Sequence, residues 1–223
     1  MMDQYDQAAK DSLPGVMRQV LSAWMRDEVE DMLPAVVISY DLDTNRAVLR
    51  PLVQLGMQDG RKISRPPQVN VSVFRFGAGG FFINVPIKPG DLGWIKANDR
   101  DISLVMQRQG QEDWPNTTRT HDFNDAMFFP DVLFGGEVAA ENADALTIQS
   151  LDGSVCVAVA DGGVTITAPT VTVVAPLTEV TGNLHITGNL DITGTTIGNG
   201  INLNTHRHTG VDPGVGTSGG PVP

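Results

Sequence analysis

The chain has 223 residues, a formal net charge of −11, a single cysteine and 6% aromatic residues. That charge disfavours nucleic acid, which needs a basic face, and anionic lipid surfaces. No apolar run approaches the ~18 residues of a membrane-spanning helix. A lone Cys156 excludes an intrachain disulfide and reads as a small strand residue between Val155 and Val157.

Residues 1–11 read as loose and polar. Ser12 is placed to cap a helix with Pro14 in its first turn, where proline's missing N–H costs little. Met17, Val20, Leu21, Trp24, Met25 and then Met32 and Leu33 follow helical spacing, opposite Arg18, Arg26, Asp27, Glu28, Glu30 and Asp31. Pro34 is expected to stop this amphipathic helix.

From Ala35 the period changes to two. Val36, Ile38 and Tyr40, then Val48, Arg50 and Leu52, flank the turn-rich run Asp43–Arg46 and predict a hairpin. Further strands are expected at 69–76, 81–85, 92–97 and 102–107, separated by turns at 56–60, 77–80, 89–91 and 98–101. Five short strands in about a hundred residues fit a small β-barrel, with an OB-like Greek key as the natural size class. Residues 111–134 read as an irregular, aromatic-rich segment that wraps the barrel or reaches a neighbour.

Two composition breaks place a boundary near residue 135. No lysine or arginine occurs between Arg119 and Arg207, and no aromatic residue follows Phe134. Beyond Gly135-Gly136 the chain thins to Val, Ile, Leu, Thr, Ala, Gly and Asp, with alternating strands expected at 155–159, 164–167 and 171–173. Glycines then recur every six residues at Gly182, Gly188, Gly194 and Gly200, and GNLHIT and GNLDIT repeat nearly letter for letter. Leu184/Ile186 and Leu190/Ile192 give each hexad two apolar residues at strand spacing.

Such strands offer too few apolar side chains to form a core alone. A left-handed β-helix of hexapeptides within one chain and an intertwined trimeric β-prism both solve this. The hexads are too few for several coils and carry two aliphatics each, which favours the trimer. His206 and His208 close the stretch at i, i+2 spacing, and on a strand they share a face. Three copies would bring six imidazole nitrogens to one axis, a set that suits octahedral Fe(II), Ni(II) or Co(II) better than zinc. His185 falls on the outer parity and reads as solvated.

Catalytic signals are weak. His121 neighbours Asp122 and Asp125, but no nucleophile is signalled nearby. Gly56–Lys62 lacks phosphate-loop spacing, and Phe76–Phe81 reads as a hairpin turn rather than a dinucleotide fingerprint. The expectation is a protein without enzymatic activity.

A small barrel, a thin Val/Thr/Gly-rich shaft and the ending Thr205-His206-Arg207-His208-Thr209-Gly210-Val211 followed by Gly214–Pro221 resemble the central spikes of contractile-tailed bacteriophage baseplates. These are the membrane-piercing tail-tip proteins. The resemblance implies an OB-fold that docks on a baseplate hub protein and three chains wound into a β-helical needle. It also implies an HxH pair from each chain holding one buried iron ion per trimer at the apex. His206 and His208 would be its ligands, with the Gly/Pro-rich tail as part of the cap.

The expected protein is therefore mainly β and located in the virion. Residues 1–34 hold the helix, 35–135 the OB-like barrel, 136–200 an intertwined trimeric β-helix or β-prism shaft, and 201–223 a metal-capped apex. The homotrimer would cross the bacterial outer membrane under sheath contraction, in transient contact with it. A trimeric receptor-binding fibre or adhesin is the alternative, normally ending in an aromatic-bearing domain absent here. A hexapeptide-repeat acyltransferase ranks behind both.

Overall fold

A computed structural model describes residues 12–56, 60–207 and 214, with backbone alone for 26–28. Among them, no helix is long and apolar enough to cross a membrane. The chain divides into two compact units, one ending at Pro169 and the other beginning at Thr170.

In the first unit, α1 spans Leu13–Glu28. Its N-cap is Ser12, whose Oγ accepts a hydrogen bond from the Gly15 N–H at 3.2 Å, a contact worth about 1 kcal/mol. The helix ends before Pro34, contrary to the periodicity. Val29 is already extended, and the next two residues are bound elsewhere. Glu30 takes the Phe123 N–H on Oε2 at 3.0 Å and Arg65 on Oε1 at 2.5 Å. The Asp31 carbonyl accepts from the Ala97 N–H at 2.8 Å. Met32, Leu33 and Pro34 thus belong to the first strand.

That strand, β1 (Met32–Asp41), pairs with β2 (Arg46–Pro51) in the expected hairpin. Two small hairpins flank the next barrel strand: β3 (Leu55–Gly56) with β4 (Lys62–Ile63), then the strand β5 (Gln68–Val73), then β6 (Gly77–Ala78) with β7 (Phe81–Phe82). β8 is Leu92–Asn98, α2 is Ser103–Gln107 and β9 is Asp122–Pro130. The order β1-β2-β5-β9-β8 closes a barrel. Counting barrel strands alone, this is first-second-third-fifth-fourth, with the third and fifth parallel. It is the OB-like arrangement.

The inner face differs in parity from the apolar alternation noted first. Ala35, Val37, Ala47 and Leu49 are buried, whereas Val36, Ile38 and Arg50 face outward. Both parities of β1 are apolar, so period two locates the strand without choosing its face. A register shift between Val37 and Ser39 then returns Tyr40 to the core side.

Two expectations are overturned. Residues 122–130 form β9, which contributes Phe123, Ala126 and Phe128 to the core. Residues 103–107 form a helix, started where the Asp101 carboxylate accepts the Ser103 N–H at 2.9 Å. A short apolar run does not distinguish the two states by spacing alone.

Beyond the barrel, β10 (Leu146–Gln149), β11 (Cys156–Ala160) and β12 (Gly163–Thr167) form an antiparallel sheet. Cys156 is buried in β11, the small strand residue anticipated.

In the second unit, the described residues pair only in β13 (Ile197–Gly198) and β14 (Ile201–Asn202). Asn199 (φ 48°) and Gly200 (φ 79°) make the turn between them. Two successive positive φ values define the tight type I′ hairpin that Asn-Gly favours. The fourth glycine is thus a turn residue rather than another hexad boundary. Residues 171–173 and the hexads at 182–193 carry no ladder within this chain.

Candidate functional site

The second unit presents its apolar side chains to solvent. Val173 is 69% exposed, Leu184 69% and Leu190 64%. These are the residues whose alternation signalled strands. A single copy gives them neither a second layer nor a partner strand among the described residues.

The histidine expected to lead the metal site lies at the end of this stretch. His206 follows a turn over residues 203–205 rather than extending a strand. Thr205 N donates to the Asn202 carbonyl at 3.3 Å, and Asn204 N to Asn202 Oδ1 at 2.9 Å. His206 Nδ1 sits 2.9 Å from the Leu203 carbonyl. A carbonyl only accepts, so Nδ1 is the donor in this contact, and in a neutral ring the lone pair then falls on Nε2. An imidazole oriented by a backbone carbonyl is a common preparation for metal ligation. His208 lies outside the described residues, as does the Gly/Pro-rich tail except Gly214. Among the described residues, no group of three or more His, Cys, Asp or Glu gathers as a cation site within one chain. His185 is exposed, as are Leu184 and Ile186 on either side of it.

A polar cluster that the sequence did not signal stands at the barrel's end. Asp101 and Asp125 are buried, at 4% and 7% exposure. Arg119 Nε donates to Asp125 Oδ2 at 3.0 Å, and its Nη2 reaches Asp101 Oδ2 at 3.4 Å. Thr117 Oγ1 donates to Asp101 at 2.8 Å. Ser103 beside it, whose N–H donates to the carboxylate, then Thr117 and Arg119, hold the Asp101 carboxyl well below the usual carboxylate range. Burial pushes Asp125 upward, with Arg119 opposing it and Asp101 adding to it.

This cluster ties the long 99–121 connection to β9. A strongly acidic carboxyl and a carboxyl gripped by arginine are poorly matched to proton transfer near neutrality. His121 meets the carboxylate of Asp99 rather than those of its sequence neighbours Asp122 and Asp125. Its Nε2 lies 3.3 Å from Asp99 Oδ1, on a residue with φ 51°.

The barrel's outer surface is strongly apolar at one hairpin. Phe81 is 83% exposed and Phe76 73%, around the Gly79-Gly80 turn. Gly77 is sterically required here, because a Cβ would lie 2.6 Å from the Phe81 carbonyl oxygen. The Arg75 guanidinium sits 5.2 Å over the Phe82 ring, a cation–π contact. Elsewhere in the unit, Val85, Ile87, Leu92, Leu133, Phe134 and Leu151 help line an open groove of about 700 Å³.

Residues 33–131 match the family model described as Phage protein Gp138 N-terminal domain. The matched span runs from the second residue of β1 to the residue after β9, so it is the barrel with its connections. The match supports a phage structural protein. It carries the same support for a virion location, and covers less than half of the chain. A search of the curated proteins finds no match.

Proposed function

We propose that this protein is the central spike of a contractile phage tail, a homotrimer that docks on a baseplate hub through its barrel and pierces the host outer membrane. The observation that carries the reading is the exposed, period-two apolar series from Val171 to Ile192, joined to a domain similar to a phage domain. Burying each such side chain is worth roughly 1.5–3 kcal/mol, a gain open only to a chain with partners. Three copies wrapped about one axis supply it. The series lacks aromatic residues, which suits a stiff shaft better than a receptor-binding head.

Under this reading the work of penetration comes from the sheath, and the spike supplies stiffness and an intact tip. His206 and His208 of each chain would hold one iron ion. The Nδ1 contact of His206 with Leu203 fits that role, since in a neutral ring it puts the lone pair on Nε2. The metal would cross-link three chain ends where few apolar contacts exist, and such binding adds to local folding free energy. No catalytic role is proposed.

Native mass spectrometry together with metal analysis tests the assignment. Three chains and one iron per three chains are expected. A stable monomer would overturn the trimer, and a metal-free trimer would overturn the iron apex.

A further inference from the structure

The helix α1 leaves its apolar half open. Leu13, Val16, Met17, Val20, Leu21, Trp24 and Met25 fall within about half of its circumference at 100° per residue, and each is between 46% and 74% exposed. Among the described residues no other element packs extensively along α1; Trp24 alone of the seven borders the barrel, on a groove it shares with Gln68 and Asn124. At these exposures the seven side chains present on the order of 700–800 Å², comparable to the ~800 Å² that each partner brings to a standard stable interface.

The spacing also specifies what kind of surface covers this face. Leu13, Met17, Val20 and Trp24 follow the 4-3-4 steps of a heptad seam. Val16, Leu21 and Met25 widen it on both sides. A narrow seam is buried by one neighbouring helix, whereas a face this broad needs two. Lipid is a poor occupant, because interfacial helices carry a basic polar face and here Arg18 and Arg26 are offset by Asp27 and Glu28.

We propose that α1 is a trimerisation element, in which the helices of three copies of this chain pack as a parallel bundle along Leu13, Met17, Val20 and Trp24. This rests on the threefold reading of the assembly. A 16-residue helix is marginal in isolation. Tethering to an assembling shaft raises its local concentration to roughly the millimolar range, enough to turn a weak bundle into a formed one.

The test uses the full-length chain with Cys156→Ala and one added cysteine. Val20→Cys and Met17→Cys sit on the seam; Ser22→Cys sits on the opposite side of the helix. Each is oxidised with copper-phenanthroline and run on a non-reducing gel, alongside native mass measurement. The proposal expects a trimeric mass and disulfide-linked pairs at both seam positions, formed at least tenfold faster than at Ser22→Cys. A trimer whose seam cysteines link no faster than residue 22 overturns the bundle and leaves the threefold assembly standing; α1 then faces a different protein. A monomeric mass overturns the threefold reading itself.

Discussion

Arg119 grips Asp125 through two nitrogens, Nε at 3.0 Å from Oδ2 and Nη2 at 3.3 Å from Oδ1. The same Nη2 reaches Asp101, so one cation serves two buried carboxylates. Replacing it by a neutral chain of similar length, Arg119→Met, leaves both carboxylates without their counter-charge. Removing one partner of a fully buried pair costs about 3–5 kcal/mol. Arg119 is 41% exposed, and screening reduces the expected loss to about 2 kcal/mol. Urea unfolding followed by tryptophan fluorescence reads it through Trp94 of β8; an unchanged midpoint would show that the cluster does not hold the barrel's end.

Acid sensitivity should trace to Asp101. Its folded carboxyl titrates well below the ordinary range, while in the unfolded chain it takes a proton near pH ~3.9. Its stabilisation is therefore complete above the unfolded value and is lost as pH falls from there towards the folded one. Asp125 has the opposite sign, since its folded value is raised and protonation relieves its burial. Asp101→Asn is expected to lower stability at pH 7 and to flatten the decline between pH ~4 and pH ~2. Thermal melts across that range check it; parallel declines in both proteins would assign the acid limb to other groups.

The barrel was legible where one signal acted alone. The β1–β2 hairpin and β8 follow from alternation bounded by turn residues. β9 was not legible, because Asp122, Asn124 and Asp125 interrupt its apolar series, and Asp125 is buried with Arg119, a partner from outside the strand. The end of α1 was misplaced for a related reason. Met32 and Leu33 continue the helical spacing, but Glu30 and Asp31 are held by partners some 30 to 90 residues away, Arg65, Lys96 and Phe123. At the terminus, the regular glycine spacing concealed a hairpin that the dipeptide Asn199-Gly200 signals on its own.

Gly93 is a sharper probe of the core than any large residue. Its inward position on β8 lies against β9, and a Cβ there would meet the Phe129 carbonyl oxygen and come within 2.6 Å of the Phe128 ring. Phe128 is fully buried and cannot swing away without opening the barrel. Gly93→Ala is expected to destabilise the barrel by at least about 2 kcal/mol, measured as a lowered denaturation midpoint. A neutral effect would mean that β8 and β9 are less closely apposed than the structure places them.

Gly200 tests the terminal hairpin separately. With φ 79°, alanine there incurs about 1–2 kcal/mol of left-handed strain, while open space around it removes any steric contribution. The bond from Leu203 N to the Thr196 carbonyl, 2.8 Å, should weaken with the turn. Gly200→Ala is expected to speed proteolysis and amide exchange at residues 196–203 while leaving the barrel's exchange unchanged. Uniform exchange in both proteins would remove the hairpin from the account of the tip.

The histidine pair carries the proposal most open to disproof. If His206 and His208 together ligate an ion shared by three chains, each single alanine variant removes half of the six imidazole ligands. The double variant removes them all. Iron content should fall by more than tenfold in the double variant, while native mass still reports three chains, because the shaft's apolar series is untouched. Leu203→Pro would disturb the turn that presents the carbonyl to His206 Nδ1, and should reduce metal retention without altering a ligand. Full iron occupancy in the double variant would place the ion elsewhere. Loss of the trimer together with the metal would instead make the apex the source of assembly rather than its closure.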